Sequence, residues 1–320
     1  MEMKLYLDNL NGERAQNFFN IYALDDVISD TDSKFIIGQK KPRMCRFCKR
    51  KEPEVKFKKD AHVIPEFMGN KHLLSYFECD NCNDKFSLYK DSFSKFIGAS
   101  RTISQIPGKS GVPKHKDPKT GFSLSFDKKG LQIGFMQDSN EVKIIEDTKK
   151  LEIITKRQSY IPIYIPKSIL KIGFCMLKDN ELQDYEMIRE ILQCNEYDSK
   201  LKDNNFLRIF GYFIPGPPIY YKPFIHLYDK LSKETPFPQK QVVVFYANYI
   251  FQMVMPFSKK DSWLNGKKIN LPIYPLLIDV SHFEKYGNYQ QLHFNFTSSE
   301  KIKEQEHILT FSYENMIKKK

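Results

Sequence analysis

Four of the six cysteines stand in two pairs, Cys45-Arg-Phe-Cys48 and Cys79-Asp-Asn-Cys82, with thirty residues between them. A two-residue gap lets both thiolates of a pair reach one tetrahedral zinc ion at about 2.3 Å, and two such pairs complete a closed structural site. Disulfides are the competing use, but they belong to oxidising compartments. Met1-Glu-Met-Lys-Leu5 has an acidic residue and no apolar run, so no signal peptide is expected and the expected location is the cytoplasm. Between the pairs lies Lys59-Asp60-Ala61-His62-Val63-Ile64-Pro65-Glu66. The β-branched pair after His62, followed by proline, reads as the end of a strand turning into a loop. A single histidine is more often structural than chemical. Here it follows Cys48 by fourteen residues, precedes Cys79 by seventeen, and Asn83 comes directly after the last cysteine.

That combination, Cys-x-x-Cys, then His-x-Ile-Pro, then Cys-x-x-Cys-Asn opening a helix, resembles the HNH (ββα-metal) endonucleases in their four-cysteine zinc variant, over about residues 40–98. The resemblance implies a fold and a set of roles. His62 would be the general base that takes a proton from water as hydroxide attacks phosphorus, a task suited to an imidazole neutral near pH 7. Asn83 would give an oxygen to a catalytic Mg²⁺ or Mn²⁺ that offsets charge on the leaving 3′ oxygen. Zinc would be structural. Many members carry aspartate immediately before the base, where this chain has Ala61. Asp60 is the nearest replacement, although side chains alternate along a strand; Asp84 and Asp91 are others. Glu66 and His72 are accessory candidates in a loop around Met68-Gly-Asn70 that is expected to be solvated.

The elements that must hold these groups can be read from spacing. Phe86, Leu88, Tyr89, Phe93, Phe96 and Ile97 recur every three or four residues, a helix that Gly98 would end. A short helix is expected near Glu13–Tyr22, followed by an acidic turn at Asp25-Asp26. Residues 1–39 form an N-terminal segment, 40–98 the zinc module, 99–120 a linker or ordered loop, and 121–320 a β-rich domain of unknown specificity. In that last part strands are expected near 121–126, 130–136, 141–146, 151–156, 205–213, 223–228, 241–255, 272–279 and 291–296. Helices are expected at 166–177 and 182–194, with a short charged helix near the C-terminus. Cys175 and Cys194 read as buried core thiols. The fold class is therefore α+β: a small zinc-stabilised module beside a larger β-rich part.

The 320 residues carry 50 Lys and Arg against 39 Asp and Glu, a formal charge of +11, and are 41% hydrophobic. The apolar share suffices for a real core and excludes a largely disordered chain. No run approaches the roughly 18–20 apolar residues of a membrane span. The charge favours polyanions, and it is dense at Lys40–Lys59, where ten basic residues face only Glu52 and Glu54. Next to a phosphodiester-cleaving site this run would contact backbone phosphates, giving affinity without sequence readout. The leading expectation is a DNA endonuclease of bacterial restriction or anti-phage defence, by analogy with where such modules occur. A non-catalytic zinc-knuckle protein and a nuclease acting on RNA stay open, since nothing here reads a 2′-hydroxyl. So do homo-oligomerisation and control by an activating ligand or partner protein.

Overall fold

Helix α1 (Asn9–Phe19) leads into strand β1 (Tyr22–Ser29) and the short β2 (Phe35–Ile37). This is the computed structural model of the chain, and it describes residues 9–313 apart from 109, 118–120, 129, 136–140, 195–206, 257, 265–266 and 268. The expected acidic turn is instead part of β1, where a bulge between Leu24 and Asp26 absorbs one residue. Strands β3 (Ala61–His62) and β4 (Leu73–Ser75) follow, joined through a 3₁₀ turn at Glu66–Met68. Helix α2 (Asp80–Ile97) ends at Gly98, whose φ of +58° favours glycine, as the sequence leads one to expect.

Helix α3 (Ser100–Ile103), β5 (His115–Lys116), β6 (Ser123–Asp127), β7 (Gly130–Gly134), β8 (Val142–Ile145) and β9 (Lys150–Lys156) come next. Residue 136, the end of the strand expected near 130–136, lies outside the described residues. Helices α4 (Tyr164–Met176) and α5 (Glu186–Gln193) precede β10 (Arg208–Phe213), β11 (Tyr220–Lys230), β12 (Lys240–Ala247) and β13 (Tyr249–Met255). After helix α6 (Val280–Tyr286), β14 (Gln290–Asn295) and β15 (Glu306–Ser312) complete the described chain. Residues 306–312 form a strand paired along its whole length with β9, and the short charged helix expected at the C-terminus, before Lys318, runs into residues 314–320, which lie outside the described part.

A six-stranded antiparallel sheet, ordered β1-β11-β12-β13-β10-β14, is the backbone of the fold. Its centre is buried on both faces. Val242, Val244, Tyr246 and Phe251 pack into one apolar cluster with α2 and α4, while Val243, Phe245 and Ile250 pack into another with Phe18 and Tyr274. The single strand expected over 241–255 is two, folded back at Asn248. That turn has no glycine or proline; Ala247 takes φ +55°, and the Asn248 amide caps the carbonyls of Ile214, Gly216 and Pro217.

Residues 272–279 form no paired strand apart from an end bridge. Pro272 and Pro275 lack the N–H groups a ladder needs. Side-chain amides hold the segment instead: Gln252 spans Pro272 O and Tyr274 N, and Asn11 spans Leu276 O and N.

The cysteine-bearing segment shares its core with this sheet. Phe93 of α2 meets Phe251 of β13 at 5.5 Å between ring centroids, and Phe47 meets Phe174 of α4 at 5.6 Å. Arg46, between the first two cysteines, donates to the carbonyls of Phe174, Cys175 and Leu177 and pairs with Asp179 at 2.7 Å. Its own carbonyl accepts from Arg189 Nε of α5. Cys175 is buried as expected, whereas Cys194 is half-exposed beyond the end of α5. Among the described residues no helix is long and apolar enough to cross a membrane.

Candidate metal centre and active site

Each cysteine pair sits where the backbone turns its thiols inward. In the first pair, Cys45 N donates to Arg50 O and Lys49 N donates to Cys45 O, closing a tight turn through Lys49 at φ +60°. In the second, Cys79 caps the N-terminus of α2 and Cys82 lies in its first turn, where the helix's positive end favours thiolate. The four sulfurs all lie within 4.8 Å of one another. Cys45 Sγ is 3.7 Å from Cys82 Sγ, and Cys48 Sγ is 3.8 Å from Cys79 Sγ. A tetrahedron with ion–sulfur bonds near 2.3 Å has edges of about 3.8 Å, so the four are positioned to bind one metal ion.

The electrostatics agree. Hydrogen bonding to Cys79 pushes the Cys45 thiol up to about 12, and Cys82 is raised by its hydrogen bonds with Cys45 and Cys79, while Cys79, bonded by both Cys45 and Cys82, is held low. A cation among them is what lets four adjacent thiols ionise together. Gln193 Nε2, at the end of α5, donates to Cys82 Sγ at 3.3 Å.

β4 lies between β2 and β3, pairing His62 with Leu74 and Ala61 with Ser75. The loop joining β3 to β4 is locked by Asn70, which is fully buried. Its Nδ2 donates to Ile64 O and Leu73 O, and its Oδ1 accepts from Leu73 N. The loop is therefore packed rather than solvated, and Asn70 is a positioning group that spacing alone did not single out. His72 turns away, its Nδ1 bonding to Thr31 O beside Asp30.

His62 is half-buried. Burial is the main reason its pKa lies below the usual histidine value, with Lys90 and Lys171 adding to the effect and Glu66 and Asp60 opposing it. The imidazole is thus neutral at pH 7, and its Nδ1 is buried with no hydrogen-bond partner. Asn83 stands in the first turn of α2, its Nδ2 3.5 Å from Asp60 O and its Oδ1 accepting from Lys90 Nζ at 3.1 Å. Asp60 is exposed and pairs with Lys34 at 3.2 Å. Asp84 pairs with Lys59, and Asp91 with Lys95 along α2. The structure thus brings His62, Asp60, Asn83, Glu66 and Lys90 into one neighbourhood and leaves His72 and Asp91 outside it.

Sequence reading gave no sign of the group behind His62. Lys171 of α4 donates to His62 O at 2.6 Å and pairs with Glu78 at 2.9 Å, both side chains almost wholly inaccessible. Burial alone would lower the Lys171 pKa, but the Glu78 carboxylate outweighs it and the ammonium is held charged. Lys171→Met leaves a buried carboxylate without its cation, so it should cost about 3–5 kcal/mol of stability. Denaturant unfolding of the metal-loaded chain measures this, and a loss under about 1 kcal/mol would contradict a structural role for the pair.

Two paired-cysteine turns thus flank a strand histidine, with an asparagine at the head of the following helix. Residues 45–96 match the family model of HNH endonucleases. No curated protein and no solved structure matches the chain. The HNH segment suggests a nuclease, dependent on metal and acting on nucleic acid. It is built into the larger fold through Arg46, Lys171 and the shared aromatic core.

Proposed function

We propose that this chain is a metal-dependent endonuclease that hydrolyses DNA phosphodiester bonds, with zinc in the four-cysteine site holding the active residues in place. The observation that carries the reading is a half-buried, neutral His62 whose strand is met by Asn83 at the head of α2 through the backbone oxygen of Asp60, within the segment that matches the HNH model. His62 accepts the proton of the attacking water. Glu66, next to it, favours the imidazolium that results. Asn83 Oδ1 and the Asp60 carboxylate are oxygen donors of the kind a hard divalent ion takes, and they would hold it. Such an ion, Mg²⁺ or Mn²⁺, supplies charge stabilisation at the leaving 3′ oxygen. Lys90 and Lys34, now bonded to Asn83 and Asp60, are cations close enough to steer a phosphate into the same place. The expected setting is a soluble cytoplasmic protein of bacterial restriction or anti-phage defence.

Supercoiled plasmid incubated with the zinc-loaded chain and Mg²⁺ or Mn²⁺ tests this directly. Nicking that stops on chelation of the divalent ion supports the reading. Cleavage of RNA alone would replace the DNA assignment. No cleavage of either polymer, with tight binding retained, would favour a non-catalytic zinc-knuckle protein, the reading that Ala61 at the usual aspartate position keeps in view.

Binding should also report phosphate contact through Lys40–Lys59. Affinity for duplex DNA should fall steeply between 50 and 200 mM salt, by about 10³-fold or more if six or more phosphates are contacted. A flat response measured by fluorescence anisotropy would remove this run from the interface.

A further inference from the structure

Beside Asp60, one residue from the strand carrying His62, a cleft of about 210 Å³ opens between β2, β4 and the segment 57–61. Its lining has three kinds of group. Lys34, Lys58 and Lys59 bring positive charge. Phe57 and Tyr76 bring aromatic surface, and Arg43 lies over both rings at 5.8 and 5.5 Å. Ser75 and Glu78, only 6% and 2% exposed, bring polar groups from the interior.

The polar pair is what makes the cleft more than a basic surface. Ser75 Oγ is buried with no hydrogen-bond partner, and so is Glu78 Oε1; Glu78 Oε2 faces Lys171 across the ion pair. Folded proteins rarely leave such atoms unsatisfied, because a buried polar group without a partner forfeits the hydrogen bonds it makes with water. A lone carboxylate oxygen asks for an N–H donor, and the serine hydroxyl can accept or donate. Lysines at the rim ask for an anion. Flat apolar walls, a hydrogen-bonding interior and cations at the mouth fit one class of ligand: a nucleotide, with its base inside and its phosphate outside. The volume is below the usual 300–1,000 Å³ of sites for larger ligands, as expected for a single base.

We propose that this cleft is a nucleotide subsite, which receives one unstacked base of the nucleic-acid strand beside the bond to be cut. The inference rests on the nuclease reading for the identity of the strand, but not for the chemistry of the cleft. Extracting a base costs stacking and pairing, least when it is already unpaired, so the cleft would favour single-stranded or distorted positions.

Isothermal titration of the full, zinc-loaded chain with 5′-GMP, 5′-CMP, ribose 5-phosphate and inorganic phosphate tests the proposal. At least one of the two nucleotides should bind, with ribose 5-phosphate and phosphate at least about tenfold weaker. Ser75→Ala should weaken nucleotide binding about tenfold, the equivalent of one hydrogen bond, and Ser75→Thr, which keeps the hydroxyl, should restore most of it. Lys58→Ala should weaken binding and reduce its salt dependence. Zinc content and unfolding midpoint of each variant show that the fold is kept.

Equal affinity for ribose 5-phosphate, an unchanged Ser75→Ala, or no nucleotide binding at millimolar concentration would each overturn the subsite. The plasmid assay separates this from the nuclease reading. Nucleotide binding without cleavage leaves the cleft standing and the catalytic reading fallen; cleavage without nucleotide binding does the reverse.

Discussion

Plasmid cleavage by His62→Ala falls about 10²–10⁴-fold, the usual contribution of a general base, while metal content and DNA affinity stay at the level of the unsubstituted chain. The expectation follows from the position of the imidazole. Its backbone carbonyl is tied to Lys171, its strand is pinned by β4, and the loop after it is locked by buried Asn70. Removing the ring changes none of these, so folding and binding survive while proton acceptance is lost. Because burial holds the His62 pKa below its ordinary value of 6.5, the active neutral form predominates throughout the neutral range. The rate should therefore rise with pH through an inflection below 6.5 and flatten above it. The direction is set by the sign of the shift: acidification protonates the base and stops the reaction, and alkalinity leaves it unchanged. A His62→Ala chain as active as its parent would move the chemistry to other residues. An inflection well above pH 7 that persists with both Mg²⁺ and Mn²⁺ would show that the burial around His62 does not set the reacting pKa.

The candidate site was legible in sequence where chemistry is written in local spacing. Two Cys-x-x-Cys turns thirty residues apart do converge, because each turn presents both thiols and α2 begins at Cys79. The amphipathic helix and its glycine stop were legible for the same reason. What supports His62 from behind was not, since Lys171 lies 109 residues downstream and reads on its own as one more lysine in a basic chain. Only packing shows that it is buried against Glu78. Asn70 is not legible because a Met-Gly-Asn loop is usually polar surface, and here three hydrogen bonds bring it inside. The hairpin at Asn248 lacked glycine or proline to mark it, and β15 pairs with a strand 150 residues away that no local pattern announces.

Cys79→Ser should lose the metal and, with it, a large part of the stability of the whole molecule rather than of the cysteine segment alone. Serine offers a poorer ligand, and structural zinc contributes about 10–16 kcal/mol in small zinc-finger peptides at neutral pH. Even a fraction of that is comparable with the 5–15 kcal/mol by which domains are stable. Cys79 also heads α2, and since serine there can still cap the helix, it is the lost tie to the metal that frees the start of the helix whose Phe86, Tyr89, Phe93 and Phe96 fill the shared core. Through Phe93 and Phe251 the damage reaches β13, and through Arg46 it reaches the carbonyls at the end of α4. The unfolding transition should therefore shift as one unit, with no separate early step from the cysteine segment. Cys194→Ser is the control: that residue is half-exposed and outside the sulfur cluster, so its substitution should leave metal content and midpoint nearly unchanged. Calorimetry with parallel metal analysis reads both variants. A soluble Cys79→Ser chain holding a full equivalent of zinc, with an unshifted transition, would show that the four sulfurs do not act together. An isolated low-temperature transition would show instead that the HNH segment folds independently of the sheet beneath it.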